Sequence, residues 1–67
     1  MLGKIERWDA GKGYGFIADK ATGKSYFAHR SALEKPDATP ARGQEAMFDI
    51  ERSPKSGRTQ AANIVLL

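Results

Sequence analysis

Apolar and polar residues alternate with a period of two along much of the chain, which predicts five short β-strands. The predicted strands span Leu2–Trp8, Tyr14–Asp19, Ser25–His29, Glu45–Arg52 and Arg58–Leu66. The stretches between them are rich in Gly, Ser, Asp and Lys, which is typical of turns. One helical turn is expected after the third strand, because Ser31 can cap it and Glu34 follows three residues later. Five strands and at most one helical turn indicate a small all-β barrel.

The same alternation separates a core face from a solvent face. Ile5 is the clearest inward residue of the first strand, which places Glu6 and Trp8 on the opposite face. We expect Tyr26 to fill core volume, with the small Ala28 offsetting its size. In the last two strands, the predicted inward side chains are Ala46, Phe48, Ile50, Ala62, Ile64 and Leu66.

The second strand carries two aromatic residues, Tyr14 and Phe16, in the stretch KGYGFI at positions 12–17. They share one face of the strand, and Ile17 lies on the other. If Ile17 faces the core, both rings face water, although burying each would contribute about 1.5–3 kcal/mol. Exposed paired rings suit base stacking, which is worth about 1–3 kcal/mol per base. The opposite arrangement, with the rings in the core, is equally compatible with this stretch alone.

Composition restricts the possible functions. The chain has 67 residues, enough for one domain with a small core. Its net charge of +3 and pI near 9.5 suit a polyanionic partner. There is no cysteine and only one histidine, so no nucleophile–base–orienter set or metal-ligand cluster can be assembled. We therefore expect no enzyme activity, no metal and no cofactor. No apolar run suggests a signal peptide or a membrane span, so we expect a cytoplasmic protein without membrane contact.

Two motifs resemble the bacterial cold-shock domain family. The stretch at 12–17 resembles the family's Lys-Gly-Phe-Gly-Phe-Ile, and YFAHRSAL at 26–33 resembles its Val-Phe-Val-His-Phe-Ser-Ala-Ile. Gly43-Gln44 and the stretch QAANI at 60–64 also match the family pattern, so the resemblance covers nearly the whole chain. It implies one cold-shock-like domain over residues 1–67, folded as a five-stranded antiparallel OB-fold barrel. It also implies binding of single-stranded RNA or DNA, with an RNA-chaperone role in many members.

The chain departs from this family pattern at several positions. The usual Lys-Trp-Phe-Asn of the first strand reads ERWD at 6–9, so Arg7 takes the Trp position. Glu6 replaces a Lys and should repel phosphate. Arg30 stands where another aromatic residue is usual, although a guanidinium can stack on a base or pair with phosphate. The loop at 35–42 lacks the family's aromatic residue. The chain therefore resembles a divergent member, or a fragment of a longer protein.

These observations lead to a set of predicted nucleic-acid-binding residues. The predicted stacking residues are Trp8, Tyr14, Phe16, Phe27 and His29, and the predicted phosphate-binding or guanidinium-stacking residues are Arg7, Lys12 and Arg30. Lys12 is equally compatible with being a solvated turn residue. Because stacking tolerates any base, no strong base preference is expected. We expect the protein to be a monomer. An alternative function is a small-barrel protein-interaction module that binds a proline-rich peptide with the same rings.

Overall fold

The computed structural model describes residues 1–67, and its five strands close into a barrel. The strands are β1 (Leu2–Asp9), β2 (Tyr14–Asp19), β3 (Ser25–His29), β4 (Glu45–Arg52) and β5 (Thr59–Leu66). Their hydrogen-bonded order is β1-β2-β3-β5-β4, and β4 also pairs with β1. All pairings are antiparallel except the one between β3 and β5. The predicted five-stranded OB-fold barrel is thus confirmed, with one parallel pair that was not predicted.

The turn between β1 and β2 is tied to the end of β3. The backbone N–H of Lys12 donates to Oδ1 of Asp9 at 3.0 Å, and that of Gly13 donates to the Asp9 carbonyl at 2.8 Å. Gly13 has φ of +77°, a conformation that glycine adopts without a steric penalty. The Gly13 carbonyl then accepts from the N–H of Arg30 at 2.8 Å. This contact brings the basic turn beside the last residues of β3.

The predicted helical turn is present as a 3-10 turn over Arg30–Ala32, but its cap differs from the prediction. The N-cap is His29, whose Nδ1 accepts from the backbone N–H of Ser31 at 3.1 Å. Ser31 cannot be the cap because the turn begins before it. The capping-box motif was misleading here, since the imidazole of the preceding residue satisfies the free N–H group.

The following loop returns to β1, where Gly43 donates to the carbonyl of Ile5 at 2.8 Å. The N–H of Ile5 in turn donates to the carbonyl of Gln44 at 2.9 Å. The loop residue just before this contact, Arg42, is therefore placed beside β1.

The core cluster lies inside the barrel and is made of buried apolar side chains from all five strands and from the residue after the 3-10 turn. Its members are Ile5, Ile17, Ala28, Leu33, Ala46, Phe48, Ala61 and Ile64. Tyr26 packs against this cluster, with its ring centroid 6.0 Å from that of Phe48, as predicted. Leu66 also packs against it.

One inward position was predicted wrongly in the β4–β5 hairpin, and one buried position was missed. Ile50 is 36% exposed, because the hairpin continues beyond the end of the core and its neighbours Glu51 and Arg52 are exposed as well. Ala62 is buried, as predicted, but the neighbouring Ala61 is buried as well and belongs to the core cluster. The reason is a register shift near Asn63, which has φ of +49° and interrupts the alternation of β5.

Candidate nucleic-acid interface

Strands β2 and β3 place four side chains on one outer surface of the barrel, which we call the aromatic face: Tyr14, Phe16, Phe27 and His29. Tyr14 pairs with His29, and Phe16 pairs with Phe27, so each pair projects on the same side. The Phe27 ring centroid lies 5.5 Å from that of Tyr14 and 6.0 Å from that of Phe16. Ile17, on the opposite side of β2, is completely buried. The arrangement that placed the rings in the core is therefore wrong.

The rings of the aromatic face are supported by one another and remain accessible. Phe27 is 37% exposed, and Tyr14 and Phe16 are half-buried. Phe16 meets Phe27 edge-on at 78°, a geometry that the ring quadrupoles favour. Such mutual contact holds the rings in position without hiding their outer surface.

A β-bulge in β1 changes which side chains join this surface. Ile5 pairs with Ile17, but the next pair is Arg7 with Phe16, so Glu6 is an extra residue in β1. An extra residue reverses the alternation that follows it. Arg7 therefore projects onto the aromatic face, where its guanidinium carbon lies 4.7 Å from the Phe16 ring centroid. This is cation–π distance.

The same bulge places Trp8 on the core side of β1. Trp8 pairs with Gly15, is half-buried and packs against the core cluster. A Cβ on Gly15 would lie 2.7 Å from Cε3 of Trp8, so the missing side chain makes room for the indole. The predicted position of Trp8, on the face opposite Ile5, is wrong because strand alternation does not continue through a bulge. The remaining exposed part of Trp8 lines a cleft of about 290 Å³ with Tyr14, Lys12 and others.

His29 and Arg30 lie at the end of the aromatic face nearest the β1–β2 turn. Nδ1 of His29 accepts from the N–H of Ser31, so in the neutral ring Nε2 carries the proton and is a donor. His29 is exposed, which leaves this donor accessible to a ligand. The Arg30 side chain crosses Gly13, where a Cβ would lie 3.5 Å from Nε. Both side chains, together with exposed Lys12, surround the Tyr14 end of the face.

At the other end of the aromatic face, a charged cleft of about 520 Å³ adjoins Phe16. We call it the Glu6 cleft, and its lining residues are Glu6, Arg7, Phe16, Ser25 and Arg42. The hydroxyl of Ser25 donates to Oε1 of Glu6. Arg42 was missed from the sequence, because only the pairing of the neighbouring Gly43 with β1 brings it here.

The charges of the Glu6 cleft are not paired with one another. The one salt bridge in the structure joins Nζ of Lys20 to Oε2 of Glu45 at 2.6 Å, away from this cleft. That hydrogen bond, and then the lysine's charge, lower the pKa of the Glu45 carboxyl. The carboxylate and the guanidinium groups of the cleft therefore remain available to a ligand.

Two further findings concern what the chain contains. No group of three or more His, Asp or Glu side chains is arranged so that it could hold a metal ion. No helix combines the length and apolar character needed to cross a bilayer.

Comparison with known proteins gives a consistent result. The family model described as the "'Cold-shock' DNA-binding domain" matches residues 1–67. The chain is 40% identical over 68 residues to the cold shock-like protein CspB of Yersinia pestis, covering 100% of this chain and 94% of that protein. It is 35% identical over 65 residues to the cold shock-like protein CspA of Rickettsia bellii, covering 96% and 90% of the two chains. The protein therefore belongs to the cold-shock domain family, as its motifs predicted.

Proposed function

We propose that this protein binds single-stranded RNA or DNA by stacking bases on the aromatic face. The observation that carries the proposal is the continuous group of rings formed by Tyr14, Phe27 and Phe16 over a separately packed core. Packing of the core therefore gives no reason for these rings to remain accessible to solvent. Every base offers a π-face, so such a surface suits a single strand whose bases are unpaired. The donor at Nε2 of His29 adds a hydrogen bond to a base edge.

Cationic side chains at the two ends of the aromatic face would hold the backbone of the strand. Lys12 and Arg30 lie at the Tyr14 end, and Arg7 lies at the Phe16 end. We assign them phosphate contacts, or guanidinium stacking in the case of the two arginines. Trp8 would contribute only through its exposed edge in the cleft beside Tyr14. With so few cations, stacking would carry most of the affinity.

We further propose that residues 1–67 act as one binding unit, as a monomer in the cytoplasm, without catalysing a reaction. Single-strand binding of this kind keeps bases unpaired, which would support an RNA-chaperone or cold-shock role. The names of the relatives, cold shock-like proteins, favour that role.

The test compares two variants whose side chains are almost equally exposed. Phe27 is 37% exposed on the aromatic face, and Ile50 is 36% exposed on β4. The assay is fluorescence anisotropy of a labelled oligothymidine or oligouridine of about seven nucleotides, within the site size of OB-folds. Phe27→Ala should weaken binding by about 1–3 kcal/mol, or 5- to 150-fold. Ile50→Ala should leave it unchanged.

Equal affinities of the two variants would refute the role of the aromatic face. Two results together would instead support the peptide-binding alternative. A proline-rich peptide would displace the oligonucleotide, and nuclease treatment would not affect the capture of partners by this protein.

A further inference from the structure

The Glu6 cleft combines chemical groups that a sequence-tolerant stacking surface does not need. It contains one carboxylate acceptor, guanidinium donors and an aromatic ring, and the carboxylate is not neutralised by a salt bridge. A carboxylate facing a bound strand repels phosphate, so we expect the cleft to bind a chemical group other than phosphate. That group must present N–H donors to Glu6 and acceptors to an arginine.

We propose that the Glu6 cleft is a guanine-selective subsite for one base of the bound strand. This inference rests on the proposed single-strand binding and adds a base preference to it. Guanine carries two neighbouring donors, N1–H and N2–H, on one edge and two neighbouring acceptors, O6 and N7, on the next. No other standard base offers two donors side by side.

Glu6 supplies the acceptors for the donor edge. Its Oε1 already accepts from the hydroxyl of Ser25, which orients the carboxylate. An ionised carboxylate has about four lone-pair sites on its two oxygens, so acceptors remain for N1–H and N2–H. Uracil and thymine offer only N3–H to these acceptors. Adenine and cytosine offer one amino group, and the ring nitrogen beside it is an acceptor that faces the second carboxylate oxygen.

The arginines supply the donors and the stacking surface. Arg7 lies over Phe16, so its planar guanidinium extends the stacking surface of that ring into the cleft. Arg42 is not stacked on Phe16, and its guanidinium fork matches the O6 and N7 atoms of guanine, which is the commonest specific arginine–base contact. Glu6 and Arg42 would thus recognise the edges of the guanine, and Arg7 and Phe16 would position the base by stacking.

The bulge in β1 explains why these groups meet. Because Glu6 is the extra residue, it lines the same cleft as the following Arg7 instead of the opposite face. The pairing of Gly43 with Ile5 then brings Arg42 to the same place. The subsite therefore depends on two backbone features and not on one side chain.

The test measures a ratio of affinities, so that it separates base preference from binding itself. The probes are oligothymidine of about seven nucleotides and the same strand with a single guanine at each position in turn. In the best register, guanine should tighten binding about 10-fold or more. Hypoxanthine, which lacks the N2 amino group, should give a smaller gain of roughly threefold, because one donor to Glu6 is lost. 7-Deazaguanine, which lacks N7, should likewise lose part of the gain.

Glu6→Gln should reduce the guanine-to-thymine ratio to about 1, because one acceptor oxygen becomes an NH2 donor that faces an N–H donor of guanine. Glu51→Gln is the matched control, since it removes one negative charge on β4, outside the cleft, and should keep the ratio. Arg42→Lys should lower the ratio while preserving the charge.

Three outcomes would overturn the proposal. If oligothymidine binds and guanine gives no gain at any position, the subsite is wrong and the proposed function stands. If no single strand binds, both are wrong. If guanosine monophosphate alone binds as tightly as the guanine-containing strand, the cleft is a free-nucleotide site and not a strand subsite.

Discussion

Gly15→Ala tests the position of Trp8 and the bulge that places it there. A Cβ on Gly15 would lie 2.2 Å from the carbonyl oxygen of Arg7, 2.7 Å from Cε3 of Trp8 and 2.9 Å from its Cα. Two of these three atoms belong to the backbone of β1, so no rotation of a side chain relieves the contacts. Restoring a carbon–oxygen distance of about 3.3 Å requires β1 and β2 to separate locally by about 1 Å.

The expected cost follows from two opposing contributions. Overpacking of this kind costs about 1–3 kcal/mol, and the rigid backbone contact favours the upper end. The φ of Gly15 is not positive, so alanine is otherwise compatible and regains about 0.4–1 kcal/mol by restricting the unfolded chain. The net destabilisation is then about 2 kcal/mol. For a chain of 67 residues with total stability of about 3–10 kcal/mol, that loss is substantial.

The assay is urea unfolding followed by the fluorescence of Trp8, the only tryptophan. Gly15→Ala should lower the unfolding midpoint and shift the folded-state emission to longer wavelength, because the indole is displaced from the core. Gly23→Ala is the control. Gly23 has φ of +77° and no heavy atom within 4 Å of its would-be Cβ, so that variant suffers backbone strain alone and keeps the wild-type emission. A Gly15→Ala protein with wild-type stability and emission would show that Trp8 does not cover Gly15.

Two further predictions concern charge. Glu6→Lys should tighten oligothymidine binding at low salt and steepen the log–log salt dependence by about 0.7 for each additional phosphate neutralised; an unchanged affinity and slope would show that Glu6 is not near the bound backbone. Glu45→Gln should make thermal stability less sensitive to acid. Because Lys20 lowers the pKa of this carboxyl below its ordinary 4.5, its contribution is present above that value and is lost as the pH falls through the lowered pKa. The pair is exposed, so the difference between variant and wild-type melting curves should disappear in about 1 M salt, and a difference that persists would contradict this explanation.

The barrel and the aromatic face could be predicted from the sequence because both depend on local signals. Alternation in β2 and β3 requires only that Tyr14 and Phe16, and likewise Phe27 and His29, lie two residues apart. Gly13 marks the turn where a positive φ is needed. Such features are determined by residues that are close together along the chain, and the match to the family motifs strengthened their prediction.

The positions of Trp8 and Arg42 could not be predicted in this way, because they depend on pairing between distant segments. The extra residue at Glu6 appears only when β1 is aligned with β2, and parity alone then assigns Trp8 to the wrong side. One signal was available: Gly15 lacks a side chain in the middle of a strand, which indicates that something large approaches it closely. Arg42 has no local signal, since its position follows from the contact between Gly43 and Ile5.

The pairing order of the strands has a consequence for folding. Strands β1, β2 and β3 form a meander of neighbours along the chain, and β4 and β5 form a hairpin, so most register pairs join adjacent segments. Only two strand pairings close the barrel. The pairing of β1 with β4 has three register pairs, and the pairing of β3 with β5 has a single one, between Phe27 and Gln60. Local pairs form faster than distant ones because they close shorter loops. We therefore expect the meander, which carries the whole aromatic face, to assemble as one early unit, with the hairpin docking onto it to complete the core.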